Sequence, residues 1–165
     1  MITTVEQTRA ELKRLGFPDI FERITRWETN FDQDIPDALV GTCEPVKVFY
    51  KVMPHLVEHL PVSENYLPLW EWNGEAVVAY DQRRDIFVRY YYGDMSDETL
   101  GTTYQQFLSA VLLEVVKQGI EGEELEEVAR LFEYKHLDML RAFASSVDPN
   151  DYEDANRRFI ASIPD

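Results

Sequence analysis

Apolar and β-branched residues concentrate in three short runs in the middle of the chain, and polar turns separate them. The runs are Tyr66–Trp72, Glu75–Asp81 and Ile86–Tyr92. Asn73-Gly74 separates the first two, and Asn-Gly favours a type I′ turn because both central residues need φ above zero. We therefore predict a three-strand meander. A two-residue turn would fix its register, with Trp72 opposite Glu75, Trp70 opposite Val77 and Leu69 opposite Val78.

The predicted register places apolar side chains on both faces of the sheet, because side chains alternate along a strand. One face has Leu67, Leu69, Val78 and Tyr80, and the other has Trp70, Trp72, Val77 and Ala79. The third strand would add Tyr90 and Tyr92 to one face and Phe87, Arg89 and Tyr91 to the other. A sheet that is apolar on both faces is covered on both sides, or it uses one face to bind a partner.

Helix signals flank the meander on both sides. Thr3-x-x-Glu6 is a capping box that opens the first predicted helix, and Gly16 with Pro18 closes it. Pro18 would begin a second helix. After the meander, Thr103-x-x-Gln106 opens a helix that Gly119 ends. A long helix is then predicted from about Glu123 to Ser145, and a short last helix over 152–163.

The remaining segments are assigned from their polarity and their breaker residues. We predict a loop over 29–42, a strand over 46–52, at most two helical turns over 54–61, and an acidic loop over 93–101. Helices at both ends of a run of antiparallel strands predict an α+β domain with a central, mainly antiparallel sheet.

The length and the cysteine content set the broad class. At 165 residues the chain can bury a core that needs no disulfide or metal for stability. Cys43 is the only cysteine, which excludes an intramolecular disulfide and favours a reducing compartment. The N-terminal residues lack the apolar region of a signal peptide, and no apolar run reaches the roughly 18 residues of a membrane helix. We therefore predict a cytoplasmic protein that does not associate with membranes.

The charge balance points towards a basic partner. Sixteen basic and thirty-one acidic residues give a formal net charge of −15. Such a surface repels nucleic acid and anionic membranes, and it attracts a basic partner with a faster association rate at low salt. An acidic balance also keeps proteins soluble, so charge by itself leaves both interpretations open.

Few residue patterns point to catalysis. The run His55-Leu56-Val57-Glu58-His59 matches the H-x-x-E-H zinc motif of inverzincins, with Glu58 as the base. Pro54 and Pro61 confine it to a short segment and no third ligand is evident, so a small zinc hydrolase is the alternative function. The other candidates favour structural roles, namely a buried histidine (His136), a structural thiol (Cys43) and a solvated acidic loop (Asp94, Asp97, Glu98). We predict no catalytic residue, no bound metal and no cofactor.

Several of these segments, taken in order, resemble the SUKH superfamily, which includes the fungal Smi- and Knr-type cell-wall regulators and many bacterial immunity proteins. The similar segments are Ile35-Pro36-Asp37-Ala38-Leu39, Tyr66-Leu67-Pro68-Leu69-Trp70, Ala76–Asp81, Ile86–Asp94 and Tyr104–Leu108. The resemblance covers about 35–118 of a single domain and leaves 119–165 as a C-terminal helical extension. It implies an α+β fold, no enzymatic activity and a protein partner, which for bacterial members is often a toxin.

Charge and resemblance together lead to a binding hypothesis. The chain would be an immunity-type protein that neutralises a basic, nucleic-acid-targeting toxin by covering its active site. The predicted contact residues lie near the turn ends and strand edge of the meander: Glu71, Trp72, Asp81, Asp85, Tyr90, Tyr92 and Asp94. A regulatory or assembly protein of the same fold is a further alternative, and the neighbouring genes would distinguish the two. The sequence does not predict the oligomeric state.

Overall fold

Four consecutive strands form an antiparallel meander, and helices lie before and after it in the chain. The structure, a computed structural model, describes residues 5–20, 66–72, 76–91, 96–148 and 151–165. The strands are β1 (Tyr66–Trp72), β2 (Ala76–Asp81), β3 (Ile86–Tyr91) and β4 (Asp97–Gly101), in the order β1-β2-β3-β4. The helices within the described residues are α1 (Val5–Arg14), α2 (Tyr104–Lys117), α3 (Gly122–Leu131), α4 (Leu137–Ser146) and α5 (Tyr152–Ser162). The predicted α+β class is confirmed.

The register of the first hairpin differs from the predicted one next to the turn. The connection between β1 and β2 has three residues, so that Trp72 lies opposite Ala76 and Trp70 opposite Val78. The register shifts between Pro68 and Trp70, and beyond this irregularity Leu67 lies opposite Tyr80. Pro68 explains the position of the shift, because a residue without an N–H is tolerated at edge strands and bulges. The predicted pairs Trp72–Glu75 and Trp70–Val77 are therefore wrong by one residue. The predicted pair Leu69–Val78 is also wrong, because Leu69 lies at the irregularity and Val78 pairs with Trp70.

The central strands are buried on both faces. Leu67, Leu69, Val78 and Tyr80 belong to one hydrophobic cluster together with Phe87 of β3 and residues of the helices. Four other sheet residues are also buried but lie outside that cluster, on the opposite face: Val77, Ala79, Val88 and Tyr90. The middle of the sheet is therefore scaffold, and neither face of β2 is open to a partner.

β4 corrects the prediction of an acidic loop over 93–101. Residues 97–101 form an edge strand that pairs with β3, with Glu98 opposite Arg89 and Asp97 opposite Tyr90. Asp and Glu disfavour strands by local propensity. Here arginines on neighbouring elements compensate, because Arg89 pairs with Glu98 and Arg84 pairs with Asp97.

α2 is the central helix of the core. Thr103 caps it as predicted, with its hydroxyl accepting a hydrogen bond from the Gln106 amide at 3.3 Å. Phe107 stacks on Phe87 of the sheet with 4.6 Å between ring centroids. The buried residues include Gln105, Ser109 and Leu113 as well as apolar residues such as Phe107 and Leu108, because α2 is covered on more than one side.

The predicted long helix from about Glu123 is wrong, because the chain breaks between α3 and α4. Glu133 has a φ of 55°, and the Tyr134 amide donates to the carbonyl of Ala129 at 2.8 Å. Side chains of α2 form hydrogen bonds with the backbone groups at this break. Tyr104 donates to the carbonyl of Phe132 at 2.8 Å, and Gln105 binds two more backbone groups.

Polar burial accompanies this break. The hydroxyls of Ser109 and Tyr134 lie 2.8 Å apart in the core. Burial raises the pKa of Tyr134 to about 12, and it raises the pKa of Tyr104 well above its ordinary value. Both phenols are therefore neutral hydrogen-bonding groups. His136, predicted as a buried histidine, is the half-buried residue before α4.

The terminal helices agree with the prediction where the structure describes them. α1 ends at Arg14, and the Phe17 amide donates to the carbonyl of Leu12 at 3.0 Å just after Gly16. α5 buries Phe159, whose ring stacks on Phe143 at 4.3 Å. Four predicted segments lie outside the described residues: the second helix beyond Ile20, the loop over 29–42, the strand over 46–52 and the turns over 54–61.

Candidate functional site

The predicted contact residues fall into three groups. Asp81, Asp85 and Tyr90 have described side chains. Glu71 and Trp72 belong to β1, and their side chains lie outside the described part of the structure. Tyr92 and Asp94 lie outside the described residues altogether.

Asp81 organises the turn between β2 and β3. Its carboxylate is buried at 4% exposure, and it accepts hydrogen bonds from the amides of Arg83 at 2.9 Å and Arg84 at 3.2 Å. Burial acts to raise the pKa of Asp81, but hydrogen bonds from Arg84 and Arg83 outweigh it and hold the pKa below its ordinary value. Asp81 is therefore an ionised turn cap with little surface to offer.

Asp85 ties the same turn to α1. Its φ of 59° is in the left-handed region, and its amide donates to the carbonyl of Asp81 at 2.8 Å. The Tyr80 hydroxyl donates to the Asp85 carboxylate, while Arg14 of α1 donates to that hydroxyl at 3.2 Å. Asp85 remains exposed, so it is the one described member of the predicted set that presents charge to solvent.

Tyr90, a predicted contact residue, is buried in the structure. Its side chain is 5% exposed and its ring lies 6.2 Å from that of Tyr66, on the buried second face of the sheet. A side chain buried to this extent supports the sheet and offers no area to a partner.

Arg84 connects the turn to the edge strand. Its guanidinium pairs with the carboxylates of both Asp81 and Asp97, and these two partners raise its pKa. The arginine therefore holds the start of β4 beside the end of β2, and the Asp97 side chain at this sheet edge is 26% exposed.

A cleft of about 860 Å³ lies between the strands β3 and β4 and the helices α2 and α5. Its volume is within the range of ligand-binding pockets, roughly 300–1,000 Å³. The apolar part of the lining comes from Leu100, Ala110, Leu113, Ile160 and Ala161. Four carboxylates and three cations also line it: Asp97, Glu98, Glu114 and Glu153, and Arg89, Lys117 and Arg157.

Contacts between the two helices and β4 hold the cleft open. Gln106 of α2 donates from Nε2 to the carbonyl of Ile163 at 3.1 Å and accepts from the Thr102 amide at 2.9 Å. The Lys117 ammonium lies 5.3 Å from the centre of the Tyr152 ring. The walls are therefore joined at both ends of α2.

The mouth of the cleft is a small charged network on β3 and β4. Glu98 accepts from the Tyr91 hydroxyl at 3.2 Å and lies 3.5 Å from the Arg89 guanidinium. Asp97, Glu98 and Thr99 are all exposed, and among the described residues no strand pairs with the outer edge of β4. On the opposite wall, the side-chain amide oxygen of Asn156 (Oδ1) is buried and has no hydrogen-bond partner in the described part of the chain.

The described residues contain no candidate metal centre and no membrane-spanning helix. No group of three His, Cys, Asp or Glu side chains there is arranged to hold a metal ion. His55, Glu58 and His59, like Cys43, lie outside the described residues. No helix in the described part combines the length and the apolarity that crossing a bilayer requires.

Sequence reasoning did not find the cleft. Its walls come from segments that are far apart in the chain, 89–117 and 152–161. The only signal was the acidic run that includes Asp97 and Glu98, which was assigned to a loop.

Comparisons with known proteins add no identification. No protein-family model, no curated protein and no solved structure matches the chain. The resemblance to the SUKH superfamily therefore has no further support, and the function is argued from the geometry and charge of the chain.

Proposed function

We propose that the chain is a non-enzymatic module that binds a basic protein. The observation that carries the proposal is the exposed, acidic edge strand β4 beside a preformed cleft, on a chain of net charge −15. A strongly acidic surface steers a basic partner to it and repels acidic competitors.

The finer form of the proposal is toxin immunity. A basic, nucleic-acid-cleaving toxin carries a cationic active site, and an acidic protein that covers it would block substrate entry. The order of the segments that resemble the SUKH superfamily supports this choice, since immunity proteins are common there. The competing form is a regulatory or assembly protein with the same binding mode.

Affinity capture at low salt tests the general proposal. The purified chain is used to capture proteins from its source cells, with mass spectrometry to identify them, and the capture is repeated at high salt. We expect a basic protein whose association rate falls as salt screens the charges. Recovery of no specific basic partner at low salt would contradict the proposal.

A matched pair of charge reversals locates the binding region. Glu153→Lys changes the wall of the cleft, and Glu123→Lys changes α3, which does not line it. Both glutamates are in the first turn of a helix, so the two variants alter the helix ends in the same way. We expect Glu153→Lys to slow association with the captured partner several-fold and Glu123→Lys to change it little. Equal effects would mean that only the overall charge matters.

Co-expression distinguishes immunity from regulation. If the captured protein stops growth when it is expressed alone, and this chain restores growth, the immunity form is supported. A partner without toxicity supports the regulatory or assembly form instead.

A further inference from the structure

We propose that the outer edge of β4 is the docking surface, and that it receives an extended Lys- or Arg-bearing segment of the partner as an added strand. This inference rests on the proposed function and names the part of the molecule that performs it. Addition of a strand to an exposed sheet edge is a recurring mode of peptide recognition, in which backbone hydrogen bonds supply affinity and side-chain positions supply specificity.

The hydrogen-bond pattern of β4 leaves backbone groups directed outwards. The Tyr91 amide donates to the carbonyl of Ser96 at 3.0 Å, so these two residues form a hydrogen-bonded pair. Bonded and non-bonded pairs alternate along an antiparallel ladder. Glu98, opposite Arg89, is therefore the next bonded residue. The same alternation directs the N–H and C=O groups of Asp97 and of Thr99, whose pair with Val88 is the last before the register shifts, away from β3.

The space beside this edge fits an added strand. Residues 96–99 are exposed, and the cleft borders β4 along Ser96 to Thr102. A strand added there would lie over α5, so that alternate side chains could enter the cleft. Leu113 and Ile160 would contact the aliphatic stems of Lys or Arg, and Glu153 would meet their charged ends.

Charge selects a basic partner over a second copy of this chain. Pairing of two β4 edges would bring Asp97 and Glu98 close to their counterparts, and like charges across a strand pair are destabilising. Each copy also has a net charge of −15. With a Lys- or Arg-bearing strand, attraction would replace both the repulsion at the paired edges and the repulsion between the net charges.

One pair of variants isolates the outward amide. Thr99→Pro removes the Thr99 N–H, which the ladder pattern directs away from β3, and proline is tolerated at such edge positions. Thr99→Val retains the N–H and serves as the control. We expect Thr99→Pro to bind the captured basic partner at least about tenfold more weakly than Thr99→Val, with similar urea midpoints for both. Equal affinities would overturn the docking inference while leaving the proposed function intact.

A titration of the wild-type chain gives an independent reading. A short peptide of alternating Lys and Val is added to isotope-labelled protein, and the backbone amide resonances are followed. We expect the Asp97 and Thr99 amides to show the largest shifts, whether or not a cellular partner has been found. Shifts elsewhere, or none near β4, would overturn the inference. Concentration-dependent dimerisation that Thr99→Pro abolishes would show that a second copy is the occupant, and would overturn the choice of a basic segment.

Discussion

The contact between Gln105 and the break before α4 gives a prediction whose magnitude can be worked out. The Gln105 side chain is 4% exposed and binds two backbone groups: it donates to the carbonyl of Glu133 at 3.1 Å and accepts from the Lys135 amide at 2.9 Å. Gln105→Met has a similar size and shape but neither polar group. The substitution therefore removes both hydrogen bonds without leaving a large cavity.

The expected cost follows from these two bonds. A hydrogen bond contributes a net of about 0.5–1.5 kcal/mol, and a buried polar group left without a partner costs about 1–3 kcal/mol. Some solvent access at the break limits the penalty, so we expect the free energy of unfolding to fall by about 2–4 kcal/mol. With a urea dependence of roughly 2 kcal/mol per molar, the unfolding midpoint would drop by about 1–2 M.

Urea denaturation followed by circular dichroism measures this change. Gln118→Met is the control, because Gln118 follows the same helix but is exposed. It should change the free energy of unfolding by less than about 0.5 kcal/mol. If Gln105→Met changes the free energy of unfolding no more than Gln118→Met does, the Gln105 side chain does not stabilise the break before α4. That result would contradict our explanation of the break.

Three further substitutions test other features of the fold. Gly101→Ala should cost more stability than Gly119→Ala: both glycines have positive φ, of 136° and 88°, but only at Gly101 would the new Cβ lie 2.5 Å from the Cβ of Gln106. Equal unfolding midpoints would contradict that close approach. Glu133→Gly should stabilise the chain by up to about 1 kcal/mol, because it relieves the left-handed conformation of a residue with a Cβ; a lower melting temperature would argue against this. Asp81→Asn should cost about 1 kcal/mol at pH 7, since its Arg84 partner is partly exposed to water. The lowered pKa of Asp81 means that this stabilisation is present above about pH 4 and lost as the pH falls through the folded-state pKa, so a gap between Asp81→Asn and wild type that persists in acid would refute the assignment.

Local patterns predicted those elements whose signals are complete within one segment. The three strands of the meander, the Thr103 cap of α2 and the short last helix are confirmed. Each depends on apolar periodicity or on a capping side chain, and both act over a few residues.

The secondary-structure predictions were wrong where residues distant in the chain determine the backbone conformation. β4 is a strand because β3 pairs with it and two arginines form ion pairs with its carboxylates, whereas the acidic residues themselves favoured a loop. The break before α4 persists because α2 supplies its hydrogen-bond partners, although helical periodicity continued through it. The three-residue connection after Trp72 requires an irregularity near Pro68, which the Asn-Gly signal did not indicate.

The candidate site was only partly predictable for the same reason. The net charge and the position of Asp85 near a turn could be read from the sequence, and Asp85 is exposed in the structure. Asp81 and Tyr90 could not be distinguished from it, because burial depends on what packs over a residue.

The sequence by itself determined the α+β class, the meander and the acidity that favours a basic partner, since composition and short-range periodicity are properties of the chain alone. The tertiary structure decided which acidic residues are exposed. It buries Asp81 in a turn, puts Asp97 and Glu98 on an open edge, and forms a cleft from β4 and α5. These outcomes depend on packing between segments that are far apart in the chain, and no local pattern specifies which segments will meet.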